Sequence, residues 1–90
     1  MNKERRKAIE DLKIKIGSLA SQIEELKEEA ESLRDEEQEY YDNMPEGFQN
    51  GEKGEKAQAS IDALDEIVSG IESAFDSLQE SENQCDNAVE

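Results

Sequence analysis

The sequence predicts an all-α protein: an antiparallel two-helix coiled-coil hairpin that dimerises into a four-helix bundle. Three observations predict it. Apolar residues recur in alternating steps of three and four from Ile9 to Met44. The same spacing resumes from Ala57 to Val89. A stretch rich in glycine around Pro45 separates the two runs. The 90 residues include 25 Asp+Glu against 10 Lys+Arg, a formal charge of −15, with only 33% apolar content. Low hydrophobicity with high net charge ordinarily signals disorder. Regular placement argues the other way, because a disordered chain has no reason to space its few apolar residues periodically.

Helix 1 is expected over about residues 3–43. Its seam is Ile9, Leu12, Ile16, Leu19, Ile23, Leu26, Ala30, Leu33, Glu37, Tyr40 and Met44, broken only by Glu37. Ile or Ala at one seam position and Leu at the other is a coiled-coil pattern. The residues between are mostly Glu, Lys, Gln and Ser, which favour or tolerate helix. Asn2 is a fitting N-cap. Pro45 ends the helix, since it disfavours helical geometry at Met44 and has no N–H to donate. Residues 44–54 hold three of the five glycines and read as a loop. Helix 2 is expected over about 55–80, with the seam Ala57, Ile61, Leu64, Val68, Ile71, Phe75, Leu78 continuing weakly through Glu82, Cys85 and Val89. Residues 81–90 are poor helix formers, expected to be frayed or weakly helical.

The two seams fit each other in opposite directions. Facing residues of an antiparallel pair have nearly constant summed numbers: Leu33 with Leu64 gives 97, Ala30 with Val68 gives 98, Leu26 with Ile71 gives 97. This register sets the basic N-terminus beside Glu80, Glu82, Asp86 and Glu90. Residues 1–16 carry a local +3 and the other 74 residues −18, so the basic end reads as a clasp for an acidic tail. One shared seam is thin support for a chain this small, and small scaffolds commonly oligomerise. Ala63, Ile67 and Ala74 widen the second seam and are the expected dimer surface. A competing assembly pairs helix 1 in parallel with its own copy, because Ile/Leu seams suit parallel dimers.

Composition excludes several functions. The chain has no His and no Trp, and Cys85 is its single cysteine. A His-based triad or zinc site is impossible, as is an internal disulfide. No apolar run approaches 18 residues and no signal-peptide core is present, so a cytoplasmic setting without membrane association is expected. Direct nucleic-acid binding is not expected of so acidic a body. No EF-hand run occurs, and two helices offer no concave pocket to tune a carboxylate. The chain is therefore expected not to be an enzyme and to need no cofactor or metal.

Candidate partner-binding residues fall into two groups. Glu24, Glu25, Glu28, Glu31, Asp35, Glu36 and Glu39 belong to an acidic run on helix 1. They read either as a solvated face or as rows of carboxylates imitating duplex phosphates. Tyr40, Tyr41, Met44 and Phe48 gather at the tip. They read either as a plug on the core or as a recognition patch, with Phe48 the residue expected to be exposed. Glu37, within the seam, either reaches outward near an open tip or sets partner specificity. Gly17 and Gly70 lie off the seam, where each costs about 1 kcal/mol of helix propensity relative to Ala.

The segment Tyr40-Tyr41-Asp42-Asn43-Met44-Pro45-Glu46-Gly47-Phe48-Gln49, then Gly54-Glu55-Lys56-Ala57 and the Ile/Leu/Ala repeat of residues 61–78, resembles small acidic helical proteins of bacteriophages and prophages. In those the Asn-Met-Pro-Glu tip motif also joins two helices. The resemblance covers about residues 35–80 and implies a context, a phage gene product in a bacterial cytoplasm, without implying a mechanism. The functional expectation is a non-catalytic acidic protein that binds a protein partner with a basic surface and modulates it. The alternative is a DNA mimic that inhibits a nucleic-acid-binding defence protein.

Overall fold

The computed structural model describes residues 2–89. Among them the only regular elements are three helices: α1 (Lys3–Asp42), α2 (Glu46–Gln49) and α3 (Glu52–Ala88). The long helices lie side by side in a rod of 69 × 14 × 13 Å. Its radius of gyration is 20.2 Å, against about 12 Å for a compact domain of this length.

Local chemistry fixes the ends of α1. The Asn2 side-chain oxygen accepts the Arg5 N–H at 2.7 Å, satisfying one donor of the first turn. At the other end the Asn43 N–H still donates to the Glu39 carbonyl, and the chain then extends at Pro45 (φ −57°, ψ 148°). Pro45 starts the next helix as well as ending the last. Its carbonyl accepts from Phe48 and Gln49 at 2.9 and 3.1 Å, opening the single turn of α2.

The tip differs from the loop expected over 44–54. Glu46–Gln49 is helical and α3 begins at Glu52, three residues earlier than expected. Two contacts explain this. The Gln49 amide donates to the Tyr41 carbonyl at 3.0 Å, tying α2 back onto α1. Gly54 is buried, and a Cβ on it would overlap the Gln49 backbone. Its φ is ordinary for a helix. The glycine is there because α2 lies against α3, and it does not break the helix.

At the far end, expected to be frayed or weakly helical, the helix continues through Ala88. Tertiary contact overrides weak propensity there: Cys85 is buried, Val89 is half-buried, and Asp86 takes an ion pair from α1. Glu90 lies outside the described residues.

Three cross-helix ion pairs report the register. Lys13 meets Asp86 at 2.7 Å, Lys27 meets Glu72 at 3.5 Å and Arg34 meets Asp65 at 3.3 Å. The residue numbers of each pair add to 99, so one antiparallel alignment holds along the whole rod. That agrees with the 97–98 read from the seams, the pairs lying one position round the helix from them.

The rotation of α1 about its own axis differs from the seam reading. The apolar residues under a tenth exposed are Ala20, Ala30, Ala57, Ile61, Val68 and Cys85. The leucines Leu12, Leu19, Leu26 and Leu33, expected inside, are each about half exposed. The face of α1 turned to α3 instead combines the Ile9/Ile16/Ile23/Ala30 row with Lys13, Ala20, Lys27 and Arg34. Small Ala20 and Ala30 permit close approach, and the three cations reach over the contact to acids on α3. Ile14 is 71% exposed on the outer side, and nothing in the fold explains it.

The tip contact is testable by substitution. Gly54→Ala should destabilise by about 1–3 kcal/mol in urea denaturation, as for other overpacked sites. Gly47→Ala, whose added methyl meets nothing within 4 Å, should be neutral or stabilising by up to about 1 kcal/mol.

Candidate functional site

The rod has unlike ends and unlike sides. At the tip, α1, α2 and the start of α3 bring Tyr40, Asn43, Met44, Pro45, Phe48 and Lys53 around one shallow depression. Tyr40 and Phe48 are both 53% exposed, and Met44 is half-buried. Phe48 is held out because α2 is a single turn whose opposite side is anchored through Gln49. The Lys53 ammonium sits 5.4 Å from the Phe48 ring centroid, within cation–π range. Tyr41 is half-buried and contributes its carbonyl to the Gln49 bond. Of the four residues singled out at the tip, Tyr40, Met44 and Phe48 line one depression, with Tyr40 and Phe48 open to solvent and Met44 half-buried, while Tyr41 is joined to α2 through its carbonyl. Lys53 and the α2 anchor were not legible beforehand. The glycines around α2 obscured them, and the only signal was the amphipathic Glu46–Gln49 turn following Pro45.

Most of the acidic run of α1 is exposed, with Glu24 bordering Glu72, Phe75 and Asp76 of α3 and Glu36 bordering Ser60, Ala63 and Ile67. Glu24, Glu25, Glu28, Asp35, Glu36 and Glu39 are exposed, and Glu31 is half-buried. Glu24, Glu28, Glu31 and Asp35 follow helical spacing, so they form one row of carboxylates. Arg34 partly neutralises its end, approaching Asp35 at 3.4 Å while also holding Asp65. Desolvation opposes the Arg34 charge, but the hydrogen bonds to both aspartates more than offset it and its pKa is raised. Glu37 is half-buried. It lines two shallow depressions, one with Leu33, Ser60 and Leu64, the other with Tyr40, Lys53 and Lys56.

The clasp at the open end is narrower than expected. Of the basic residues 3–15, Lys13 alone forms a cross-helix ion pair, with Asp86, among the described residues. Glu82 covers Gly17 instead. A Cβ at position 17 would come within 3.3 Å of the Glu82 carboxylate, so the glycine makes room for that side chain. Gly70 faces open space.

A second side of the rod is a groove. At one end Leu33 lines it together with Ala63, Leu64 and Ile67. At the other, Leu12 and Ile16 line it with Ser81, Gln84 and Ala88. Ala63 and Ala74 are exposed and Ile67 is 50% exposed, so the expected dimer edge is uncovered in the single chain.

Among the described residues there is no cluster of three or more metal-ligating side chains, and no helix is long and apolar enough to cross a membrane. Comparison with family models, curated proteins and solved structures finds no match to this chain.

The Lys13–Asp86 pair carries a pH signature. Its hydrogen bond to Asp86 is the largest cause holding the Lys13 pKa above the ordinary 10.5. A folded-state pKa above the unfolded value stabilises below the unfolded value, and the contribution is lost as pH rises through the raised one. The Tm difference between wild type and Lys13→Gln should therefore hold steady up to pH 10.5 and shrink above it. A difference independent of pH across that window would show that the pair contributes nothing.

Proposed function

We propose that the chain is a non-catalytic interaction protein that docks on a protein partner bearing a basic surface. The observation that supports this best is the coincidence, at one end of the rod, of exposed Tyr40 and Phe48 with the acidic row of α1. Aromatic residues in partly formed depressions are the usual anchors of protein interfaces, and surrounding charge steers the encounter. Lys53 over Phe48 gives the anchor a fixed orientation at little entropic cost. The depressions along the rod are shallow and open, which favours recognition over chemistry. The resemblance of the tip motif to acidic phage proteins adds a setting, a phage-encoded modulator acting in a bacterial cytoplasm. The active form in this reading is a homodimer.

A second reading, the DNA mimic, is favoured by charge density. Residues 24–39 carry nine acids against Lys27 and Arg34, and seven of the nine are exposed. A rigid row of carboxylates is suited to a basic groove that otherwise holds duplex phosphates.

Affinity capture from bacterial lysate, read by mass spectrometry, tests and separates the two. Tip docking predicts a partner retained at moderate salt and weakened about 30-fold or more by Phe48→Ala, the loss expected of a hot-spot residue. Mimicry predicts release at moderate salt and competition by duplex DNA, because long-range ionic contacts are screened. A captured partner indifferent to salt, to DNA and to Phe48→Ala would defeat both.

A further inference from the structure

The α1 leucines left half exposed form a complete heptad row: Leu12, Leu19, Leu26, Leu33 and Tyr40, each 49–53% exposed. They run about 42 Å along the helix. The row borders the groove that also takes in Ala63 and Ile67 from α3, roughly a quarter-turn from the α1–α3 contact. A helix with two apolar faces about a quarter-turn apart is what a four-helix bundle requires of each member.

We infer that this face pairs with a second copy of the chain, antiparallel, about a two-fold axis at Leu26. The inference rests on the homodimer in the proposed function and fixes its face and direction. Three observations favour a second copy as the occupant.

The first is area. A folded monomer of 10.2 kDa exposes about 5,300 Å², whereas this rod exposes 6577 Å². The excess is somewhat more than the roughly 800 Å² per partner that a standard interface buries.

The second is the symmetry of the row. About Leu26, the positions of Leu19 and Leu33 exchange, as do those of Leu12 and Tyr40. An antiparallel two-fold therefore sets apolar against apolar at every layer.

The third is charge. Residues 1–16 carry +3 and residues 80–90 carry −4, whereas residues 17–79 between them carry −14. Parallel pairing would stack the two strongly acidic tip halves on each other. Antiparallel pairing moves them to opposite ends. It also sets Lys15 of one copy on the same flank as the partner's Glu36, an attraction that the parallel arrangement lacks. Like charges facing across a helix interface are unfavourable, so the Ile/Leu preference for parallel dimers is overridden. The α3 residues Ala63 and Ala74, with Gly70 facing open space, leave room for the partner's α1 to lie close.

Sedimentation equilibrium of the full chain alone should give twice the 10.2 kDa mass at micromolar concentration. Leu26→Glu, which places two carboxylates on the axis, should raise the dissociation constant at least about 100-fold. Orientation is read in a Cys85→Ala background carrying Leu19→Cys or Leu33→Cys. Mixing the two variants under mild oxidation should give a mixed disulfide dimer, and neither variant alone should cross-link. A monomer at all concentrations, a Leu19→Cys chain that cross-links to itself, or a dimer that forms no mixed disulfide would each overturn the inference. No partner is used, so the outcomes separate. A monomer that still captures a basic protein defeats the pairing and the homodimer but spares the docking on a basic partner, and a dimer that captures none does the reverse.

Discussion

The close approach of α1 and α3 through small side chains governs the rest of the structure. Half of the buried apolar side chains are alanines, Ala20, Ala30 and Ala57, beside Ile61, Val68 and Cys85. Such a contact gains little from any one residue, so its stability depends on being repeated in one register along the whole rod. The ion pairs Lys13–Asp86, Lys27–Glu72 and Arg34–Asp65 sit beside it at regular intervals. Each is solvent-exposed enough to add little energy. Their effect is on alignment, since a shift by one residue would break all three. Register then determines where Glu82 lies over Gly17 and how the tip closes.

Much of this was legible in the chain, and the failures have physical causes. Helix type and antiparallel direction followed from the spacing of apolar residues and their constant summed numbers. The seam reading erred on half of α1: its Ile9/Ile16/Ile23/Ala30 row faces α3 as expected, whereas the leucine row lies at the edge. It ranked positions by hydrophobicity and so placed every leucine in the core. Volume decided otherwise: Ala20 and Ala30 let the helices approach, and long cations at 13, 27 and 34 spread over the contact with their charges at its edge. The tip was read as a loop because Gly47, Gly51 and Gly54 resemble punctuation. Gly54 instead admits the Gln49 backbone, a tertiary requirement with no local signature. Residues 81–88 have weak intrinsic propensity, but Cys85 and Asp86 find partners on α1 that propensity does not count. Of the tip residues, Tyr40, Met44 and Phe48 share one depression. What escaped the sequence was their division into exposed and covering members, which depends on α2.

Charge explains why so thin a contact is compatible with so acidic a chain. The open end is nearly neutral, because the basic start of α1 lies beside the acidic end of α3. The excess resides between residues 17 and 79, where most carboxylates face outward and repel through water instead of through the low-dielectric contact. Self-repulsion is thereby kept off the α1–α3 seam, where it would separate the helices. It remains on the outside, where solvent and salt screen it.

The tip and the leucine face occupy different parts of the molecule, and this has a consequence for binding. The acidic row of Glu24, Glu28, Glu31 and Asp35 lies on the side of α1 away from the leucine groove, with Glu24 bordering Glu72, Phe75 and Asp76 of α3 and Glu31 half-buried. In an antiparallel pair it would remain exposed. Tyr40 is shared, since it ends the leucine row and also borders the tip depression, and in the pair it would be drawn toward the partner's Leu12. Phe48, carried on α2 and held by Lys53, is set apart from that row. Pairing would therefore leave one anchor, Phe48, at each end of the assembly, each next to its own acidic row. Two such ends too far apart to meet on one site would engage two partner molecules, or two sites on one large assembly, and only the second arrangement gains from effective concentration. The aromatic anchor Phe48 and the leucine row would thus meet only at Tyr40, which lines the tip depression with Phe48 and also ends the row.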